Sequence, residues 1–96
     1  MNLKLRKRAL NTLADIVDWI EEQNTPGAGD RWLVKTFAEL NSVAASHVNH
    51  AICKEPKLAR FKYRCFTYKD KWVVAYKIES NRFVVYRFVY GPWLDY

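Results

Sequence analysis

Ninety-six residues, half of them hydrophobic, suffice for one buried core and leave no room for a second domain. Sixteen Lys and Arg against ten Asp and Glu give a net charge of +6, and six Tyr, five Phe and four Trp exclude a disordered basic tail. The charge is polarised. Residues 51–96 hold ten basic and four acidic side chains, residues 9–50 hold two basic and six acidic, and Lys4, Arg6, Lys7 and Arg8 form a basic start. Such a division fits an anionic partner, either nucleic acid or an acidic protein surface.

Residues Met1 to Arg6 carry charge with no apolar run behind them, so no secretory signal is expected. The longest apolar stretch, Trp72 to Tyr76, is far short of the roughly 20 residues of a membrane span. Two cysteines, Cys53 and Cys65, do not make a disulfide framework, so the expectation is a cytoplasmic protein with reduced thiols that pack as small apolar groups.

Along the chain, Leu10, Leu13, Ile16, Val17 and Ile20 recur at helical spacing and predict an amphipathic helix over Ala9–Gln23, with Asp15, Asp18, Glu21 and Glu22 on its other side. Thr25 and Pro26 suit a helix cap and first helical position. Leu33, Phe37, Leu40, Ala44 and Val48 then predict a second helix from about residue 26 to about His50, antiparallel to the first. Phe61–Tyr68, Trp72–Ile78 and Arg82–Tyr90 read as three strands of an antiparallel meander, punctuated at Lys69-Asp70 and Ser80-Asn81. Leu3–Leu5 offers a short edge strand. The fold class is α+β, with an N-terminal helical hairpin packed on a three- to four-stranded antiparallel sheet.

Several chemistries are excluded. The only glycines are Gly27, Gly29 and Gly91, in no nucleophile-elbow, phosphate-loop or dinucleotide context, so no cofactor or small-molecule substrate is expected. His47, His50 and Cys53 share a three-residue spacing, but they supply only three local ligands and read as surface or interface residues, with no metal. The informative block runs from Lys54, Lys57, Arg60, Lys62 and Arg64 through Lys69, Lys71, Lys77, Arg82 and Arg87, interleaved with Phe61, Tyr63, Phe66, Tyr68, Trp72 and Tyr76. Cations attract phosphate and rings can stack bases, although a half-exposed sheet produces the same alternation. Strict alternation places Arg87 in line with Phe83, Val85 and Val89, where a charge needs a partner or a role. Tyr90, Trp93 and Tyr96 end the chain as an aromatic cluster.

These segments resemble the RelE/ParE superfamily of toxins from bacterial type II toxin–antitoxin modules, over nearly the whole chain. Ala9–Ile20 looks like the family's first helix and Thr25-Pro26-Gly27-Ala28 like its inter-helix turn. Tyr63–Phe66, Lys71–Ile78 and Val84–Gly91 look like its sheet strands. The resemblance implies a growth-inhibiting protein neutralised by a cognate antitoxin. RelE-like members cut messenger RNA on the ribosome without a metal, and ParE-like members inhibit DNA gyrase. For the nuclease branch the matching positions are Lys62, Arg64, Arg87 and Tyr96. Candidate target contacts are Lys54, Lys57, Arg60, Lys62, Arg64, Arg87, Tyr90 and Trp93. Pro92-Trp93 stands where RelE-like chains place a further arginine, and Tyr90 where ParE-like chains often carry histidine. The resemblance therefore leans to the ParE-like branch. A non-toxic nucleic-acid-binding module is the reading from a different class.

Overall fold

The periodic stretch from residue 9 onward forms helix α1, Lys7–Gln23, which buries Ala9, Leu13 and Ile16 and turns its carboxylates outward. This is a computed structural model and it describes residues 1–93. Helix α2, Ala28–Ser46, buries Gly29, Thr36, Leu40 and Ala44 along its inner face. It is shorter at both ends than the periodicity predicts. Gly27 takes φ +87° at the start and His47 φ +57° at the end, and this left-handed backbone cannot continue a right-handed helix.

The start of α2 is not capped as expected from Thr25 and Pro26. Glu21 on α1 reaches across instead, and its carboxylate accepts the N–H groups of Gly27 at 2.8 Å and Gly29 at 2.9 Å. One side chain thus satisfies two otherwise unpaired donors and joins the helices at the turn. These two bonds, aided by the charge of Arg31, hold the Glu21 carboxyl below its ordinary value of 4.5. A depressed folded-state pKa stabilises the protein above the unfolded carboxylate range, and that stabilisation is lost as pH falls through the folded value. Glu21→Gln is therefore expected to lower Tm at neutral pH and to flatten the fall in Tm below pH 4.5. Thermal melts at several pH values check this.

Strands β1 (Asn2–Leu5), β2 (Arg64–Tyr68), β3 (Trp72–Glu79) and β4 (Arg82–Tyr90) form one sheet in the order β1-β4-β3-β2. The last three make the antiparallel meander. β1 enters parallel to β4, from Asn2 opposite Arg82 to Leu5 opposite Val85, so the sheet is mixed. Both hairpins close on two residues of left-handed backbone, Lys69 and Asp70 at φ 52° and 58°, Ser80 and Asn81 at 51° and 60°. That geometry matches the twist of the paired strands.

A β-bulge decides which β4 residues enter the core. The register slips between Ala75 and Tyr76, so that Tyr76 faces Val85 while Ala75 faces Arg87, leaving Tyr86 as the extra residue. Alternation resets there. Phe88, and not Arg87, joins Phe83 and Val85 beneath the helices with Leu13, Leu40, Val74 and Tyr76. The expectation that Arg87 lies on the apolar face is corrected by this single insertion.

The opposite face of the sheet carries a smaller core of Cys53, Leu58 and Ala75, with Tyr63, Cys65 and Val73 against it. It is covered by the connection from α2 to β2, which contains a short helix α3, Pro56–Ala59, that periodicity does not reveal. The turn continues through Phe61 and Lys62, whose N–H groups bond Leu58 and Ala59, and Lys62 takes φ +61°. Strand β2 therefore starts at Arg64 and not at Phe61. The expectation of reduced cysteines is also corrected. Cys53 and Cys65 form a disulfide, because residues 51–53 run antiparallel beside residues 63–65 and bring the two side chains together.

Candidate functional site

Residues directly opposite each other on paired strands share a face of the sheet, and successive residues alternate. Arg64 is opposite Tyr76 and Arg87 is opposite Ala75. Since Tyr76 and Ala75 are neighbours in β3, the two arginines lie on opposite faces. They cannot form a fork on one phosphate. The Arg64 guanidinium instead donates to the His50 carbonyl at 2.6 Å. His50 stacks on Phe66 at 5.0 Å, and its Nδ1 shares a 2.6 Å hydrogen bond with the buried Tyr76 hydroxyl. Burial pushes the His50 pKa down. This cluster fastens the end of the helical hairpin to the sheet. Because Cys53 is bonded to Cys65, the His47, His50, Cys53 spacing presents no thiolate.

Arg87 occupies the face away from the helices. Burial there lowers its pKa, assisted by the nearby charge of Arg8, while Tyr63 and Glu55 act the other way. Lys54, Lys57, Arg60 and Lys62, all exposed, sit in the connection that borders this face. Between them runs a stack of rings. Phe61 and Tyr63 are 5.4 Å apart, and Tyr63 and Tyr86 are 5.0 Å apart. Arg60 lies 4.7 Å over Phe61, Lys77 lies 5.4 Å over Tyr63, and Arg6 lies 5.2 Å over Tyr86. The Tyr86 hydroxyl donates to both Glu79 oxygens, at 2.7 and 2.9 Å, and this bond raises its pKa. The rings face one another and the cations, so the surface presents positive charge more than open ring faces. Five of the sequence-derived candidates, Lys54, Lys57, Arg60 and Lys62 of the connection and Arg87 of β4, thus belong to one side, whereas Arg64 and Tyr90 belong to the other.

On the helix side a cleft of about 640 Å³ opens between α1 and β4. Thr12, Asp15, Ile16 and Trp19 form one wall, Lys71 and Trp72 one end, and Arg87 to Tyr90 the other wall. Its floor is aromatic, with Trp72 and Phe88 5.7 Å apart and Tyr90 5.3 Å from Trp72. The cleft exists because β1 covers β4 only as far as Val85. Among the described residues no strand lies beside Tyr86–Val89 on that edge. Trp19 stands at the mouth with 60% of its surface exposed. Sequence reading missed Trp19 and Phe88 as lining residues, and marked Trp72 only as a ring interleaved with the basic block. The signal available was a tryptophan among carboxylates on the outer side of α1. Tyr96 lies outside the described residues, as does the Trp93 side chain.

No helix among the described residues is long and apolar enough to cross a membrane. The sequence pattern of the family described as ParE toxin of type II toxin-antitoxin system, parDE, matches residues 3–91. No curated protein matches the chain.

Proposed function

This chain belongs to the ParE toxin family of type II toxin–antitoxin systems, and from that premise we propose that it arrests growth in the cytoplasm by binding and inhibiting DNA gyrase until a cognate antitoxin neutralises it. The family match over residues 3–91 carries the reading. The placement of Arg64 and Arg87 on opposite faces supports it, because the two arginines matched to the nuclease branch cannot act on one phosphate together. Inhibition by binding needs only a complementary surface.

The cleft beside Trp19 is the seat we assign to the antitoxin, since it combines an exposed tryptophan and an aromatic floor with charges of both signs at Asp15 and Lys71. Trp19→Ala is expected to weaken antitoxin binding by about 2 kcal/mol, roughly thirtyfold, while leaving the melting temperature nearly unchanged. Calorimetric titration against the antitoxin checks this. The target is tested by adding the purified chain to a gyrase supercoiling assay. Dose-dependent inhibition relieved by antitoxin is expected. Full supercoiling activity beside cleavage of ribosome-bound messenger RNA would reverse the assignment.

A further inference from the structure

The face away from the helices is closed by a covalent bond. Cys53 and Cys65, twelve positions apart, form a disulfide with Cα atoms 4.9 Å apart. Around it the Cys53 N–H donates to the Tyr63 carbonyl at 2.9 Å and the Cys65 N–H to the Ala51 carbonyl at 3.2 Å. The segment so enclosed carries Lys54, Lys57, Arg60, Lys62 and Arg64 against Glu55. Apart from these bonds, it is held to the sheet by Leu58 and by Tyr63, which stacks on Tyr86 of β4 at 5.0 Å. Helix α3 has four residues and buries only Leu58.

We infer that Cys53–Cys65 is a reversible thiol–disulfide site that sets how firmly the basic loop between them is held on the sheet. Three observations carry this. Cys65 is half-buried whereas Cys53 is buried, so Cys65 is the sulfur that a reductant can reach. The net positive charge of the enclosed loop, with Lys54 adjacent to Cys53 in the chain, favours a thiolate over a thiol and so a better leaving group. The disulfide also lies outside the main core beneath the helices, so breaking it leaves that core intact.

The reductant is a dithiol. One of its thiolates attacks a cysteine sulfur, the Cys53–Cys65 bond breaks, and the other cysteine leaves as a thiolate. The second thiol of the reductant then displaces the first cysteine and closes its own disulfide. Two electrons and two protons pass to the cysteine pair, and the dithiol is oxidised. The loop then keeps its backbone bonds, Leu58 and the Tyr63–Tyr86 stack, with no covalent tie between its ends. Its cations become mobile, and an anionic partner must order them at an entropic cost. This inference holds whichever target the toxin engages.

The test uses the purified full chain, air-oxidised and dithiothreitol-reduced. Alkylation with iodoacetamide is expected to label no thiol before reduction and both after it, and oxidised glutathione is expected to restore the first state. Trypsin cutting after Lys54, Lys57, Arg60 and Lys62 is expected to be about tenfold faster or more in the reduced chain, with unchanged far-ultraviolet circular dichroism. A Cys53→Ser, Cys65→Ser double variant should cut at the reduced rate in both conditions. If that variant does not fold, the oxidised and reduced wild-type chains decide the matter alone. Two alkylated thiols in the folded, air-oxidised chain would overturn the inference. So would equal cutting rates, or global unfolding on reduction, which would make the bond a fixed structural staple.

Discussion

Phe88→Ala is expected to destabilise the protein by about 3–5 kcal/mol, whereas Arg87→Ala, one residue earlier, should cost under about 1 kcal/mol. Phe88 is fully buried and contacts the rings of Trp72 at 5.7 Å, Trp32 at 6.0 Å and Tyr68 at 6.5 Å. Removing its ring leaves a cavity between the sheet and the helices that rigid aromatic neighbours cannot fill. Arg87 loses side-chain packing and a charge on the opposite face. Uninterrupted alternation through β4 would reverse the order, so urea denaturation of the two variants measures the bulge directly.

The second large effect is at Gly29. A Cβ there would lie 2.6 Å from the Val17 carbonyl oxygen, 3.0 Å from Val17 Cγ1 and 3.2 Å from Glu21 Oε1. The first of these is backbone of α1 and cannot swing away, so the helices must part. Their separation also stretches the bond from the Gly29 N–H to Glu21. Gly29→Ala is expected to cost about 2 kcal/mol or more despite the better helix propensity of alanine. The check is the urea midpoint relative to wild type. An unchanged or higher midpoint would mean that the hairpin is not as closely packed as described.

The helical hairpin, the meander and both of its turns were legible because they rest on local patterns: apolar spacing of three to four, β-branched and aromatic runs, and turn residues between them. The features that escaped are tertiary. The face of Arg87 depends on a register slip with β3 that no single-strand pattern records. The cap on α2 comes from Glu21, a residue of the preceding helix. The disulfide depends on a 51–53 segment returning beside β2, in a loop whose sequence has no strand alternation. For the site, composition marked the basic loop at Lys54, Lys57, Arg60 and Lys62. It could not show that Arg64 points to the other side, since that follows from pairing with Tyr76. The cleft was invisible for a related reason: it is the space left where a four-residue β1 stops short of the end of β4.

Family membership makes the chain a toxin, and the proposed target is gyrase. The most direct measurement is controlled induction of the full chain in a bacterial host, with labelled thymidine and labelled amino acid incorporation followed from the moment growth slows. The account predicts that DNA synthesis fails first, with a DNA-damage response, and that co-expressed antitoxin prevents it. An earlier loss of protein synthesis, with cut messenger RNA, or uninterrupted growth despite folded, soluble protein, would contradict it.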